Sequence, residues 1–157
     1  QIAFTIEVFP TRNVVVTRQP HRVVNTLEEF RAEKVGTIKG TSMAEAIAAA
    51  GVLPAHVDDT IPWGTLPQAL AAGKVTAVVL GVENAIVAQR KDPDLQLGLF
   101  LGPPGALAYG VRKDDVQLLG ALNEYVGNLR RTPTWNRLVV KYLGEAAPEA
   151  LKRSRTE

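Results

Sequence analysis

The hydrophobic and polar positions of the chain alternate in short blocks of strand and helix character. Residues 2 to 8 alternate as a strand does, and residues 14 to 17 form a second, fully apolar strand after a break predicted at Pro10 and Asn13. The same reading continues with strands over 35–38, 56–61 and 75–80 and helices over 66–72 and 83–91. This order predicts an α/β fold whose mainly parallel sheet is flanked by helices.

The pattern changes after residue 94. Two strands, 95–101 and 106–112, are separated by Gly102-Pro-Pro-Gly105, which predicts a stiff turn, and amphipathic helices follow to the end of the chain. Trp135 and Tyr142 lie on the apolar face of one of these helices. We therefore expect both aromatic side chains to be buried.

The stretch from Lys34 to Gly51 carries the most specific chemistry. An apolar strand meets Gly40, which permits a tight turn, and Thr41 or Ser42 is placed to cap an alanine-rich helix. The first turn of a helix presents unpaired N–H groups and the positive end of the helix dipole, here beside two hydroxyls. These residues predict a site for a carboxylate or a phosphate; the alternative is that Thr41 and Ser42 only cap the helix.

Composition narrows the classes of function. The 157 residues are 46% hydrophobic and 22% charged, and a formal net charge of +2 is too small to argue for nucleic acid. The chain has no cysteine, which excludes disulfides, thiol catalysis and cysteine-ligated metal sites. His21 and His56 lack the spacing of metal ligands, and Asp58 and Asp59 would face opposite sides of a strand. We predict neither a metal nor a cofactor.

Four stretches, taken in order, resemble the second lobe and C-terminal part of the bacterial extracellular solute-binding proteins of family 3, the polar-amino-acid receptors of ABC importers. The four stretches are Phe4-Thr5 with 14–17, residues 26–41, residues 66–79, and Tyr109 to Asp114 with the helical segments 119–129 and 135–144. The resemblance implies a type II periplasmic-binding-protein fold, in which two α/β lobes close over a ligand as a Venus flytrap.

The resemblance divides the chain into three parts. Residues 1–19 would be strands crossing from a first lobe that is largely missing, 20–101 the second ligand-binding lobe, and 102–157 a returning strand and C-terminal helices. It implies non-enzymatic binding of a small polar solute, periplasmic or extracellular, for delivery to an ABC permease. In the family the first lobe adds an aromatic clamp and an arginine that binds the ligand carboxylate, and neither is assigned here.

The resemblance also assigns roles within the second lobe. Thr41 matches the hydroxyl residue whose backbone N–H and side chain bind the ligand carboxylate. The family's aspartate, which pairs with an α-amino group, falls at Gly81, and Thr76 stands where another aspartate is usual. Glu83 lies two residues beyond and either reaches the ligand or complements the helix dipole, which we expect. An amino acid, another small anion and a neutral polar metabolite all stay open.

Two rival functions remain beside solute binding. The rivals are a cyclohexadienyl or arogenate dehydratase, with Glu83 as general acid, and a sensor domain of a larger membrane protein.

Two structural expectations follow. Trp63 either lines a cleft or packs against the core and its loop, and packing is expected. Without a first lobe, residues 3–8, 106–112 and the helices after 116 would be uncovered, which predicts a homodimer, possibly with swapped elements.

Overall fold

The computed structural model describes all 157 residues as two compact units. The larger unit comprises residues 12–103, and the smaller one comprises residues 1–11 and 104–157.

The larger unit is built on a five-stranded mixed sheet. Its strands are β2 (Phe9–Arg18), β3 (Val35–Gly36), β4 (Val57–Asp58), β5 (Ala77–Gly81) and β6 (Leu95–Leu107), after a strand β1 (Ile2–Phe4) in the smaller unit. The order is β4-β3-β5-β2-β6, with β4, β3 and β5 parallel and β2 antiparallel to β5. The predicted α/β class is confirmed, and the sheet is mixed because β2 enters against the direction of the parallel set.

Helices flank this sheet and close its core. They are α1 (Leu27–Arg31), α2 (Ser42–Ala49), α3 (Leu66–Ala71) and α4 (Val82–Lys91), with a 3-10 helix at Pro54–His56. The core contains Val15 and Val79 from the sheet with Phe30 of α1 and Ile47 of α2, all at most 1% exposed. Thr26 begins α1 with a capping box in which Glu29 takes part.

Two breaks predicted from proline and glycine are wrong. The segment Gly102-Pro-Pro-Gly105 continues β6, and β2 runs unbroken through Pro10. Proline's fixed φ suits extended backbone, and its missing N–H is tolerated on β6, which is an outer strand of the sheet. Pro10 likewise precedes the residues 13–16 through which β2 pairs with β5.

The smaller unit combines a two-stranded ribbon with three helices. β1 pairs antiparallel with β7 (Gly110–Arg112), and α5 (Val116–Arg130), α6 (Pro133–Leu143) and α7 (Ala147–Thr156) follow. The Glu7 carboxylate accepts from Arg130 Nη2 at 2.8 Å and also from Arg155, which connects the first segment of this unit to α5 and α7. None of the chain's helices combines the length and apolar character that crossing a bilayer requires.

The helix α6 departs from the expected burial of its aromatic residues. Trp135 is half-buried, with its ring centroid 6.0 Å from that of Phe9, whereas Tyr142 is 64% exposed. The burial prediction for Tyr142 is therefore wrong. Amphipathic spacing identifies the apolar side of a helix but does not provide the element that covers it.

Candidate functional site

The candidate site lies at the edge of the sheet where β3 and β5 end. The two strands are parallel neighbours, with Gly36 opposite Val78, so their carboxyl ends reach the same edge. From this edge the chain enters α2 after β3 and α4 after β5. Open α/β sheets bind ligands outside the carboxyl ends of their strands. The predicted site residues Gly40 to Ser42 precede or begin α2, and Gly81 and Glu83 lie at the start of α4, so all of them are at this end of the larger unit.

The turn into α2 is held by Thr41, which is the N-cap. Its Oγ1 donates to the carbonyl of Ile38 at 2.7 Å and accepts from the N–H of Ala44 at 3.3 Å. Gly40 precedes it with φ +76°, a backbone conformation that glycine adopts without strain. The hydroxyl hydrogen of Thr41 is thus used within the protein, which leaves backbone amides as the main donors toward a ligand.

The first turn of α2 is open to an anion. Ser42 is exposed and Met43 half-buried, and amides at the first positions of a helix have no acceptor inside that helix. The dipole of this eight-residue helix adds partial positive charge at the same end. The arrangement can bind a carboxylate or a phosphate through its backbone.

The start of α4 is built differently. Its N-cap is Gly81, which has extended backbone and offers no side-chain cap. The carboxylate of Glu83 folds back over this glycine: a methyl group added to Gly81 would lie 2.9 Å from Glu83 Cδ and 3.0 Å from Oε2. Asn84 Nδ2 donates to Glu83 Oε1 at 3.4 Å. Glu83 therefore occupies the space that a side chain at position 81 would take.

Asn13 connects the two helix starts. It lies opposite Gly81 in the pairing of β2 with β5, and its Nδ2 donates to the Ser42 carbonyl at 3.4 Å. Sequence reasoning treated Asn13 only as a strand break and missed this position. The sequence signal that could have identified Asn13 is a polar amide directly before the apolar residues of β2. The side chains of those apolar residues are fully buried.

A groove of about 520 Å³, a volume within the range of small-molecule pockets, includes Met43 from the first turn of α2 and Asn84 from the first turn of α4. The predicted site residues Gly40, Thr41, Ser42, Gly81 and Glu83 do not line it. It is lined mainly by apolar side chains of α3 and α4, together with Ile38, Met43, Trp63 and Leu80. Trp63 is 73% exposed, so the expected packing is wrong and the cleft alternative holds. The Pro62 to Gly64 turn keeps the indole out of the core.

The remaining polar candidates lie elsewhere. Thr76 precedes β5, where its Oγ1 accepts from the Lys34 N–H at 2.9 Å, so it is at the opposite end of that strand from the site. His21 Nε2 contacts the buried Glu33 carboxylate at 2.8 Å, and His56 Nδ1 contacts the Arg31 carbonyl at 3.2 Å. No group of three or more His, Asp or Glu side chains is placed to hold a metal ion.

Two carboxylates with shifted titration serve local structure. The Asp58 carboxylate accepts from the hydroxyl and the N–H of Thr60, which lowers the pKa of Asp58. The hydrogen bond from Arg18 lowers the pKa of Asp92, at the C-terminal end of α4. Both groups are bound by protein partners.

Comparison with known proteins agrees with the resemblance found in the sequence. The chain is 23% identical over 155 residues to the lysine/arginine/ornithine-binding periplasmic protein of Escherichia coli K12, with 90% of this chain and 58% of that protein covered. The L-cystine solute receptor of Neisseria gonorrhoeae, in an unliganded open conformation, matches with a TM-score of 0.75 at 11% identity, over 93% of this chain and 62% of that one. No protein-family model matches the chain.

A third match is the substrate-binding protein of an amino acid ABC transporter, with a TM-score of 0.67 at 19% identity, over 92% of this chain and 64% of that one. The chain therefore has the periplasmic-binding-protein fold and spans about three-fifths of the length of these proteins. All three are named for binding a solute and none as an enzyme, which agrees with the non-enzymatic prediction.

Proposed function

We propose that the chain is the ligand-binding lobe of a solute receptor that holds the carboxylate of a small polar solute at the start of α2. The ligand class is an α-amino acid or another small carboxylate. The observation that carries the proposal is the open first turn of α2 at the carboxyl edge of β3 and β5, beside a groove of ligand size.

The proposal extends to the whole protein's role. A receptor of this kind would work in the periplasm or outside the cell and deliver its solute to the permease of an ABC importer. The sequence resemblance supports this role, and so do the matched proteins, which are named for binding lysine, arginine and ornithine in the periplasm and for serving an amino acid ABC transporter. Because the chain spans only part of their length, contacts from another lobe would add to the affinity.

A substitution at Ser42 tests the anion site directly. Ser42 is the first residue of α2, a position that accepts proline, and Thr41 before it has φ −108° and ψ 160°, which a following proline requires. Ser42→Pro therefore removes one amide donor while the helix is kept. Ser42→Ala is the matched control, since it removes the hydroxyl and keeps the amide.

The readout is an amide NMR titration of the chain with L-arginine, L-lysine, L-ornithine, L-cystine and acetate. We expect the amides of residues 41–43 to shift with carboxylate ligands, Ser42→Ala to keep the response, and Ser42→Pro to weaken it by about tenfold, near 1.4 kcal/mol. Equal binding by Ser42→Pro and the unaltered chain, or no shift at these amides with any probe, would overturn the proposal.

Self-association through the smaller unit is also part of the proposal. Its exposed large apolar side chains are Ile2, Phe4, Ile6, Leu107, Tyr109, Val116, Leu118, Tyr125 and Tyr142. Exposed apolar surface of this extent favours association, and a homodimer is expected. Light scattering of the purified chain should give a dimer that Val116→Lys with Tyr125→Lys converts to monomer; a monomeric unaltered chain would contradict this part.

A further inference from the structure

We propose that the groove between α3 and α4 holds an aromatic side chain of the ligand, so that the site selects carboxylates with an aromatic side chain over those with a cationic one. The inference rests on the proposed function, because it places the rest of a ligand whose carboxylate binds at the start of α2.

The groove meets the anion site at the turn into α2. Ile38 precedes this turn and Met43 is the second residue of α2, and both residues line the groove. The amide of Met43 is one of the first-turn donors, which have no acceptor inside the helix. A carboxylate bound by these amides therefore lies beside the groove, and the remainder of the same molecule can extend into it.

The groove is long enough for a ring on a short chain. Asn84, Ala88 and Lys91 of α4 line it at spacings of four and three residues, which places them along one side of that helix. A rise of about 1.5 Å per residue makes this side roughly 10 Å long. Pro67 and Ala71 of α3 line the groove as well, so α3 and α4 leave a channel between them with short side chains at Ala71 and Ala88.

Two of the lining side chains favour an aromatic ligand in particular. Trp63 lies in the connection between β4 and α3 and is 73% exposed, so most of its indole is left uncovered by the protein. Aromatic rings attract each other in offset or edge-to-face arrangements, and the thioether of a methionine such as Met43 also packs favourably against a ring. A ring in the groove would gain both contacts and would cover the indole.

The charges of the groove disfavour a cationic side chain. Its charged residues are Lys91 and Asp92, both at the C-terminal end of α4. The Asp92 carboxylate is already bound by Arg18, at 2.8 Å from Nε. A guanidinium or ammonium group in the groove would meet the positive charge of Lys91 without gaining an unshared carboxylate, and burial of an unpaired cation is costly. A hydrocarbon ring carries no such cost.

The test is an NMR titration of the chain with two pairs of ligands, 3-phenylpropanoate with propanoate and L-phenylalanine with L-arginine. Because the ring buries apolar surface in the groove, we expect the aromatic member of each pair to bind about tenfold more tightly or better. The aromatic ligands should shift the amides of residues 41–43 and the indole N–H of Trp63 with one dissociation constant. Equal affinities within the pairs, or two different constants for the two sets of signals, would overturn the inference.

Two variants with matched controls locate the ring. Trp63→Ala should weaken 3-phenylpropanoate by about fivefold and leave propanoate unchanged, whereas Tyr142→Ala, which removes an exposed aromatic side chain from the smaller unit, should change neither. Ala88→Leu fills the groove and should have the larger effect, while Ala48→Leu adds the same side chain at an exposed position of α2 and should have none. Equal losses for 3-phenylpropanoate and propanoate in the groove variants would overturn the inference.

The outcomes also distinguish this inference from the proposed function. If propanoate shifts the amides of residues 41–43 and the aromatic ligands bind no better, the anion site stands and the role of the groove falls. If none of the four ligands shifts these amides, both fall together.

Discussion

Two helices, α2 and α4, start at the same sheet edge, and their N-termini are capped in opposite ways. At α2 the N-cap Thr41 turns its hydroxyl inward, to the Ile38 carbonyl and the Ala44 amide, and leaves the first amides open. At α4 the N-cap is Gly81, which has no side chain, and a carboxylate from within the helix folds back over it.

The contrast shows how one architectural element can be adapted to either charge. A helix start is electropositive by construction, and α2 keeps that character because its cap is neutral and turned away. In α4 the carboxylate of Glu83 offsets the same field. Both helices carry a glutamate in the first turn, Glu45 in α2 and Glu83 in α4, and the difference is that Glu83 folds back over its N-cap residue.

The two helix starts differ in how well the sequence predicted them. Thr41 followed by an alanine-rich run predicts an N-cap, because capping depends on residues within one turn. The return of Glu83 over Gly81 depends on the rotamer of one side chain, and the contact from Asn13 depends on the pairing of β2 with β5. Hydrophobic periodicity carries no information about either of these contacts. The sequence therefore did not decide between the two roles considered for Glu83, a ligand contact and a complement to the helix dipole.

The same distinction applies to the fold. Apolar runs and glycines predicted the positions of most strands and helices, because these sequence signals depend only on neighbouring residues. The turn predicted at Gly102 to Gly105 is absent because an outer strand tolerates proline. Which strand is outer depends on the order of all the strands in the sheet, which local sequence does not show. The exposure of Trp63 and Tyr142 likewise depends on which elements cover them.

The larger effect on stability is expected at the start of α2. Thr41→Ala removes the cap to Ala44 and should lower the free energy of unfolding by about 1 kcal/mol, a fall in Tm of roughly 2–4 °C. Thr65→Ala is the matched control: Thr65 is the N-cap of α3 but caps it with no side-chain hydrogen bond. Thermal unfolding followed by circular dichroism should show the larger loss for Thr41→Ala, and equal losses would contradict the capping role.

The smallest effect concerns the other end of α4, where Asp92 is the C-cap. A carboxylate there opposes the helix dipole, and the hydrogen bond from Arg18 Nε at 2.8 Å compensates and lowers the pKa of Asp92 below its ordinary value of 3.8. Since the folded state favours the ionised form, Asp92 contributes stability above pH 3.8, and this contribution is lost as the pH falls through the lowered pKa.

Urea unfolding at about pH 5 and about pH 3 tests this sign. Asp92→Asn should lose less stability between the two values than the unaltered chain, while Asp59→Asn, at an exposed position after β4, should follow the unaltered chain. The same acid-induced loss in Asp92→Asn would show that Arg18 does not hold this carboxylate in solution. Agreement would mean that Arg18 holds the Asp92 carboxylate in place at the end of α4 where the helix dipole opposes a negative charge.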